Sequence, residues 1–496
     1  MSGAKPGSAE RTDRAAERVG TVAVRGGLVT VGGQAGRVLV QLVSVVVLSR
    51  LLSPGDFGLV AMVTALVGLA ALLGDFGLSL AAIQATEATH QQRTNLFWLN
   101  AAIGAATSLV VLAVSPLIQA FYGVPEVGGI ARALAVTFLL SALSAQFRAE
   151  ATRRLRFTAL AVVDLVAPAL GLVAAVVLAL AGAGFEALVA QQIAVVAAQL
   201  VLLVVLASWL PGLPRRTPGM AGFLRFGRDN LLLQVLTYAS SNIDAVVVGV
   251  TTGPAVLGTY NRAVQLFRLP VQQLAAPLTR VALPILARVT DHGTYVRYLN
   301  HAQRYLVYTL GTAFALTAGL AAPVVALLLG PQWRDAAPIL TALAVGGIFQ
   351  ALSYAYYWHF LASAQTALQL RFSVVSRVLM VVLILAASAG GPVAIAWASS
   401  LGLLVNCVLL TCLALPRSGV AVREVSGTAL RASVAVLAIA GLSWLGATLG
   451  DRIDVALGLA LGLAGAAIAG AASAAARPVR RDLALLLTLT RKVRSA

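Results

Sequence analysis

Apolar runs of about 20 residues, enough to cross the hydrocarbon of a bilayer, follow one another along almost the whole chain with short polar breaks between them. They predict about fourteen spanning helices. The first six are Gly27–Leu48, Leu59–Ile83, Leu96–Ala120, Val127–Phe147, Ala159–Gly182 and Phe185–Leu206. The basic, proline-rich stretch LPGLPRRTPG then interrupts the hydropathy. Six more follow, Asn230–Val250, Tyr260–Ala287, Tyr305–Leu329, Ala336–Leu361, Phe372–Ala389 and Pro392–Leu415. Gly427–Leu449 and Val455–Ala475, nearly featureless Ala/Leu/Gly runs, close the series. The hydrophilic start lacks a short apolar region with a cleavage site, so it reads as a tail and not a signal peptide. The expected organisation is a tail over 1–26, a first lobe over 27–213 and a basic linker over 214–229. A second lobe over 230–416 and the last two helices with a basic tail over 417–496 complete it.

Composition agrees with an all-α integral membrane protein. Only 11% of the 496 residues are charged and 59% are apolar, with a mean hydropathy of +0.90. Soluble domains carry about 25% charged residues, so a water-soluble enzyme is excluded. The net charge of +18 does not indicate a nucleic-acid partner, because the arginines lie in tails and breaks between apolar runs. There they report orientation. Every second loop is rich in arginine, including Arg93, Arg148, Arg215, Arg288, Arg377 and Arg423, whereas the opposite loops hold only Arg50, Arg132, Arg262, Arg334 and Arg452. The alternation puts both termini in the cytoplasm.

Cofactor chemistry finds no footing in the sequence. The four histidines, His90, His292, His301 and His359, have no metal-ligand spacing. Cys407 and Cys412, five apart on one helix, point about 140° from each other and cannot pair. The two lysines, Lys5 and Lys492, follow no glycine-rich phosphate loop, so transport would draw on an ion gradient, the membrane potential or consumption of the substrate.

The two halves echo each other at offsets near 200. LLSPGDFGLVAM from Leu51 resembles VTTGPAVLGTYNRA from Val250, with Phe57-Gly58 matching Leu257-Gly258. ALAVTFLLSALS from Ala133 resembles ALAVGGIFQALS from Ala342, and AGFEALVA from Ala183 resembles GGPVAIAW from Gly390. Six helices per lobe is an even number, so the repeats are parallel. Two such lobes would enclose a V-shaped cavity able to open to either side.

Polar groups inside spans are costly and mark function or pairing. Gln34, Arg37, Gln41 and Ser44 form one stripe on the first helix, and Asn261, Gln265, Arg268 and Gln272 form another on the eighth, with Arg262 beside it. Arginines on facing lobes suit an anion such as a diphosphate, which guanidinium forks bind bidentately. A second reading pairs these arginines with the intramembrane Asp75, Asp164 or Asp244. Asp75 and Asp244 also lie on stripes of small or hydroxyl residues, where they would either couple transport to a proton or Na⁺ or simply support helix packing. Tyr354, Tyr356, Tyr357, Trp358 and His359, together with Trp98, Trp209 and Trp333, read as interfacial aromatic belts.

The segment SRLLSPGDFGLVAMVTALVGLAALLGDFGLSLAAIQ, Ser49 to Gln84, resembles the signature of bacterial polysaccharide exporters of the Wzx-like branch of the multidrug/oligosaccharidyl-lipid/polysaccharide (MOP) flippase superfamily. LGTYNRAVQLFRLPVQQLAAPLTRVALPILARV, Leu257 to Val289, is similar to that family's second-lobe counterpart. Arg50, Asp56, Gly58, Asp75 and Arg262 fall on motif positions, while Arg37 and Arg268 rest on the stripes alone. The resemblance implies export of a lipid-linked oligosaccharide on undecaprenyl diphosphate across the cytoplasmic membrane. A polysaccharide polymerase and glycosyltransferases would be its partners, besides the lipid bilayer. The alternatives are a flippase for the peptidoglycan lipid precursor and an ion-coupled small-molecule antiporter on the same fold. A membrane glycosyltransferase or polymerase is disfavoured, because the expected outer loops are a few residues long and almost uncharged.

Overall fold

The computed structural model describes residues 32–75, 89–207, 209–215 and 220–482, and all of its regular structure is helical. The first two helices are α1 (Gly32–Leu51) and α2 (Pro54–Asp75). There follow α3 (His90–Tyr122), α4 (Pro125–Arg153), α5 (Phe157–Leu180), α6 (Phe185–Val205) and α7 (Met220–Thr252). Next come α8 (Pro254–Pro270), α9 (Ala276–Arg288), α10 (His292–Leu306), α11 (Thr312–Gly319) and α12 (Ala321–Leu328). The last are α13 (Ala336–Ala362), α14 (Thr366–Ala387), α15 (Gly391–Leu409), α16 (Val422–Asp451) and α17 (Val455–Ala475).

All fourteen expected spans fall on helix wherever they are described. Among the described residues nine helices are long and apolar enough to cross a membrane, or ten if one bent pair is a single span. That pair corrects the expectation of a straight span over 305–329: the helix bends by 77° between Gly319 and Ala321. A single π turn, Val271–Ala275, joins α8 to α9 just after Pro270, which cannot continue the normal hydrogen-bond ladder. Helix α7 already starts at Met220, inside the stretch read as a basic linker.

The chain forms two compact units. The first holds the chain up to Leu52 and Met62–Ala239, and the second holds Ser53–Ala61 and everything from Ser240. In the first unit a strap over 209–215 is tied to α3 by side chains. Trp98 Nε1 donates to the Gly212 carbonyl at 2.8 Å, and Asn95 Nδ2 donates to the Arg215 carbonyl at 2.6 Å. Glu150, at the end of α4, is buried and pairs with Arg93, Arg153 and Arg154. In the second unit α13 is the central helix, its residues Ala344, Ile348 and Ala351 packing on Leu310, Phe314 and Val436.

The nine-residue segment Ser53–Ala61 shows what the repeated motif does. Ser53 caps α2, with its hydroxyl and amide both donating to Asp56 Oδ2, at 2.6 and 2.9 Å. Four residues after Pro54 comes Gly58, and four after Pro254 comes Gly258. A Cβ at Gly58 would run into the backbone of Pro254, and one at Gly258 into the carbonyl of Pro54. The starts of α2 and α8 therefore cross backbone to backbone, each glycine seated on the other motif's proline.

Candidate functional site

In the first unit the polar stripe of α1 is set by what lies on the neighbouring face. Gly33 and Gly36 approach α5 so closely that added Cβ atoms would meet Ala161 and Leu165. Gln34 and Arg37 are exposed and Gln41 half-buried. Ser44 Oγ accepts a hydrogen bond from Gln191 Nε2 of α6 at 3.0 Å. Arg37 has no hydrogen-bond or ion-pair partner among the described residues. Arg50 is exposed at the end of α1. Asp75 ends α2, and its side chain lies outside the described residues. Asp164 pairs with Arg148 at 2.5 Å, which is not one of the stripe arginines. Hydropathy places that arginine in a loop.

Beside this pair lies a cavity of about 670 Å³ walled by α2, α4 and α6. Its polar wall is one the sequence reading passed over. Thr137, Ser141, Ser144, Arg148 and Thr152 all line it and follow one another at three- and four-residue steps, which is a single stripe on α4. The spacing was visible in the sequence. The apolar window ends at Phe147 and leaves Arg148 in a loop, whereas α4 runs on to Arg153.

The second unit has a smaller polar pocket of about 310 Å³. Arg268, Gln272 and Asp244 all line it, together with Ser240, Gln350 and Ser399. Asp244 accepts a hydrogen bond from the Tyr260 hydroxyl at 2.9 Å and interacts electrostatically with Arg268. Arg268 is exposed and donates from Nη2 to the Ser241 carbonyl at 3.1 Å. Arg377 lies within α14 and donates from Nη1 to Ser240 Oγ at 2.5 Å. Arg262 and Gln265 are engaged with each other. The Arg262 guanidinium stacks 3.6 Å above the Phe57 ring and donates to Gln265 Oε1 at 2.5 Å, a cation–π arrangement that needs no carboxylate.

The aromatic belts are corrected. Tyr356, Trp358, Trp333 and Trp209 are buried, because their polar tips or faces have partners inside the protein. Tyr356 Oη accepts from Gln303 Nε2 at 2.8 Å, and Trp358 Nε1 donates to Thr279 Oγ1 at 2.9 Å. Trp333 meets Phe57 edge to face at 5.4 Å, and Trp209 packs on Phe147. The His359 ring joins the Tyr295 hydroxyl at 2.8 Å and the Ser418 hydroxyl at 2.7 Å. Trp98 and Tyr357 remain exposed.

Among the described residues no cluster of His, Cys, Asp or Glu could hold a metal. The arrangement instead offers guanidinium, carboxamide and hydroxyl groups on helices that are otherwise apolar, which suits binding and passage of a polar group.

Comparison with known proteins agrees. Residues 47–338 match the family model described as "Polysaccharide biosynthesis protein". The chain is 30% identical over 285 residues to the teichuronic acid biosynthesis protein TuaB of Bacillus subtilis (strain 168), covering 56% of this chain and 58% of that one. It is 26% identical over 381 residues to the lipopolysaccharide biosynthesis protein WzxC of Escherichia coli (strain K12), covering 75% and 76%. Its fold matches the lipid II flippase MurJ in an inward closed conformation with a TM-score of 0.71 at 13% identity, over 90% of this chain and 98% of that one. It also matches an inward-facing multidrug resistance MATE transporter of the MOP superfamily, with a TM-score of 0.59 at 18% identity, over 79% and 96%. On the strength of the family match, which covers more than half of its length, this multi-pass helical chain belongs to the polysaccharide biosynthesis protein family.

Proposed function

We propose that the protein moves a lipid-linked oligosaccharide, carried on undecaprenyl diphosphate, from the inner to the outer leaflet of the cytoplasmic membrane by alternating access. The carrier's tail stays in lipid while its charged, hydroxylated head passes through protein. Unaided, that head would lose water without gaining partners, at a cost of several kcal/mol per group. In this reading the diphosphate is met by guanidinium groups, Arg37 on α1 and Arg268 on α8, with Gln34, Gln41 and Gln272 beside them. Arg50 serves at the end of α1, and Arg262 with Gln265 holds the start of α2 through Phe57. Asp244 is the coupling group, its carboxyl shared between Tyr260 and the field of Arg268, and Asp75 is a second. Asp164 acts through its pair with Arg148. The 27–213 and 230–416 repeats are the two lobes, both termini are cytoplasmic, and a polymerase and glycosyltransferases work on the same glycan. The protein performs no bond chemistry itself.

The observation that carries this reading is Arg268. It is an exposed arginine on the polar stripe of a buried helix, lining a pocket, in a chain whose relatives have polysaccharide biosynthesis names. A peptidoglycan-precursor flippase is the second reading, supported by the fold it shares with a lipid II flippase. A cation antiporter is less well supported, because arginines and not free carboxylates dominate the stripes.

Native mass spectrometry of the purified protein tests this. The wild type should retain a polyprenyl-diphosphate glycan that Arg37→Ala/Arg268→Ala loses while remaining folded, and the mass separates polysaccharide units from the peptidoglycan precursor. Ordinary phospholipid alone in both samples would contradict the reading.

A further inference from the structure

The repeat offsets, carried to single residues, bring wall positions of the two pockets into correspondence. At the offset that matches Gly58 with Gly258, the first cavity's Thr64, Val67 and Gly68 correspond to Val264, Phe267 and Arg268, which line the second. At the offset of the ALAV repeats, Leu134 and Ser141 correspond to Leu343 and Gln350, again wall residues of each. At the offset of the third repeat, Gln192 and Val196 correspond to Ser399 and Leu403, and these too line their pockets. Seven wall positions of the second pocket thus have counterparts in the wall of the first.

The two pockets differ in charge and in size. Where the second has Arg268, the first has Gly68, and a Cβ there would meet the Tyr238 hydroxyl. That hydroxyl instead donates to the Thr64 carbonyl at 2.8 Å. At the offset of 200, Asp244 corresponds to Ser44. The first cavity has no arginine at the position of Arg268 and no carboxylate in its wall, and has about 670 Å³ against about 310 Å³. Its one charged wall residue, Arg148, is neutralised by Asp164 at 2.5 Å.

What remains is hydrogen-bonding capacity without net charge. The side chains of Ser141 and Gln192 have no hydrogen-bond partner among the described residues, and each both donates and accepts. Thr137, Ser144 and Thr152 donate to carbonyls of their own helix, at 2.5, 2.8 and 2.9 Å, and keep lone pairs free to accept. Between these lie apolar surfaces from Val67, Phe138 and Val195. Hydroxyls on a ring with apolar C–H faces complement that mixture. A phosphate does not, since it would find no unpaired cation. Cavities of about 300–1,000 Å³ enclose drug-sized ligands, and a di- or trisaccharide is of that size.

We infer that the cavity of α2, α4 and α6 is the glycan subsite of the transporter, taking neutral sugar units of the lipid-linked substrate through Ser141 and Gln192. The inference rests on the lipid-linked oligosaccharide reading above and assigns the sugar to a place other than the arginine stripes.

The test uses the full-length protein in nanodiscs and two probes, undecaprenyl diphosphate bearing a neutral hexose trisaccharide and undecaprenyl diphosphate alone. The wild type should bind the glycosylated probe about tenfold more tightly, the worth of one or two neutral hydrogen bonds. Ser141→Ala/Gln192→Ala should bind both probes equally, with affinity for the bare carrier unchanged. A preference retained by the variant, or none in the wild type, overturns the subsite and leaves the transport reading standing. A wild type that binds neither probe overturns the transport reading itself and the subsite with it. Should the double variant not fold, Ser141→Cys in a Cys407→Ala/Cys412→Ala background gives the second measurement. The glycosylated probe should slow its alkylation by a maleimide and the bare carrier should not, and equal rates with both would overturn the assignment.

Discussion

At the scale of single residues, most buried polar groups have partners inside the protein that explain them. Glu150 illustrates this. It is 5% exposed and answers three arginines, of which Arg93 is 13% exposed. Glu150→Ala would leave Arg93 uncompensated, and removing one partner of a buried pair costs about 3 kcal/mol or more. A marked fall in the detergent-solubilised melting temperature is expected, with Glu150→Gln milder because it keeps acceptor geometry. Trp358→Phe removes a single hydrogen bond to Thr279, whose hydroxyl also donates to the Ala275 carbonyl and so stays satisfied. The expected loss is about 1 kcal/mol, read in the same melting assay. The sequence could not show either arrangement, because the partners are 57 and 79 positions away in the chain. Trp333 and Tyr356 likewise meet distant partners, Phe57 and Gln303, that their residue type alone does not reveal.

At the scale of elements, hydropathy located the helices because lipid leaves the backbone no alternative to helix in a chain of such runs. It missed their ends. The position of Arg148 inside a helix follows from α4 running several residues beyond the apolar window. It also missed the crossing of α2 and α8. The proline–glycine spacing was legible, but which backbone meets which glycine was not. Gly58→Ala and Gly258→Ala should each strongly destabilise the protein, because the colliding atoms are backbone and cannot turn aside. Gly55→Ala, whose Cβ would have only Ser53 Oγ nearby at 3.6 Å, should be tolerated. Fluorescence-detected size exclusion of the three variants checks the order.

Helix α10 adds a pH dependence. Its cap, Asp291, is exposed, and the Thr294 hydroxyl and amide hold its carboxyl below the usual carboxylate value. A carboxyl lowered in the folded state stabilises fully above its unfolded pKa and loses that contribution as pH falls through the folded one. Hydrogen exchange at the first amides of α10 should therefore gain an acid-dependent opening below the ordinary carboxylate range, absent in Asp291→Asn. An opening retained by Asp291→Asn would contradict the assignment.

At the scale of the molecule, the resemblance between the halves bears on the chemistry of the pockets. The echoes at offsets near 200 fall on segments that line the two pockets. Asp244 and Arg268 line the smaller pocket, and hydroxyl groups line the larger cavity, whose one charged residue is paired. Division of labour between a charged and a neutral site suits a substrate with a diphosphate at one end and sugars at the other. The arginine stripes were legible because charge inside a span is conspicuous, whereas the neutral cavity was not, because Ser, Thr and Gln are unremarkable in a helix.

The most direct test is transbilayer movement in proteoliposomes containing only this protein. Undecaprenyl diphosphate bearing a neutral trisaccharide is placed in one leaflet, and its arrival in the other is followed by accessibility to an added glycosidase. The account predicts protein-dependent movement of this lipid, none of a phosphatidylcholine analogue, and loss of movement in Arg268→Ala that remains folded. Equal movement of both lipids, or none of the glycolipid under any ion gradient, would contradict it.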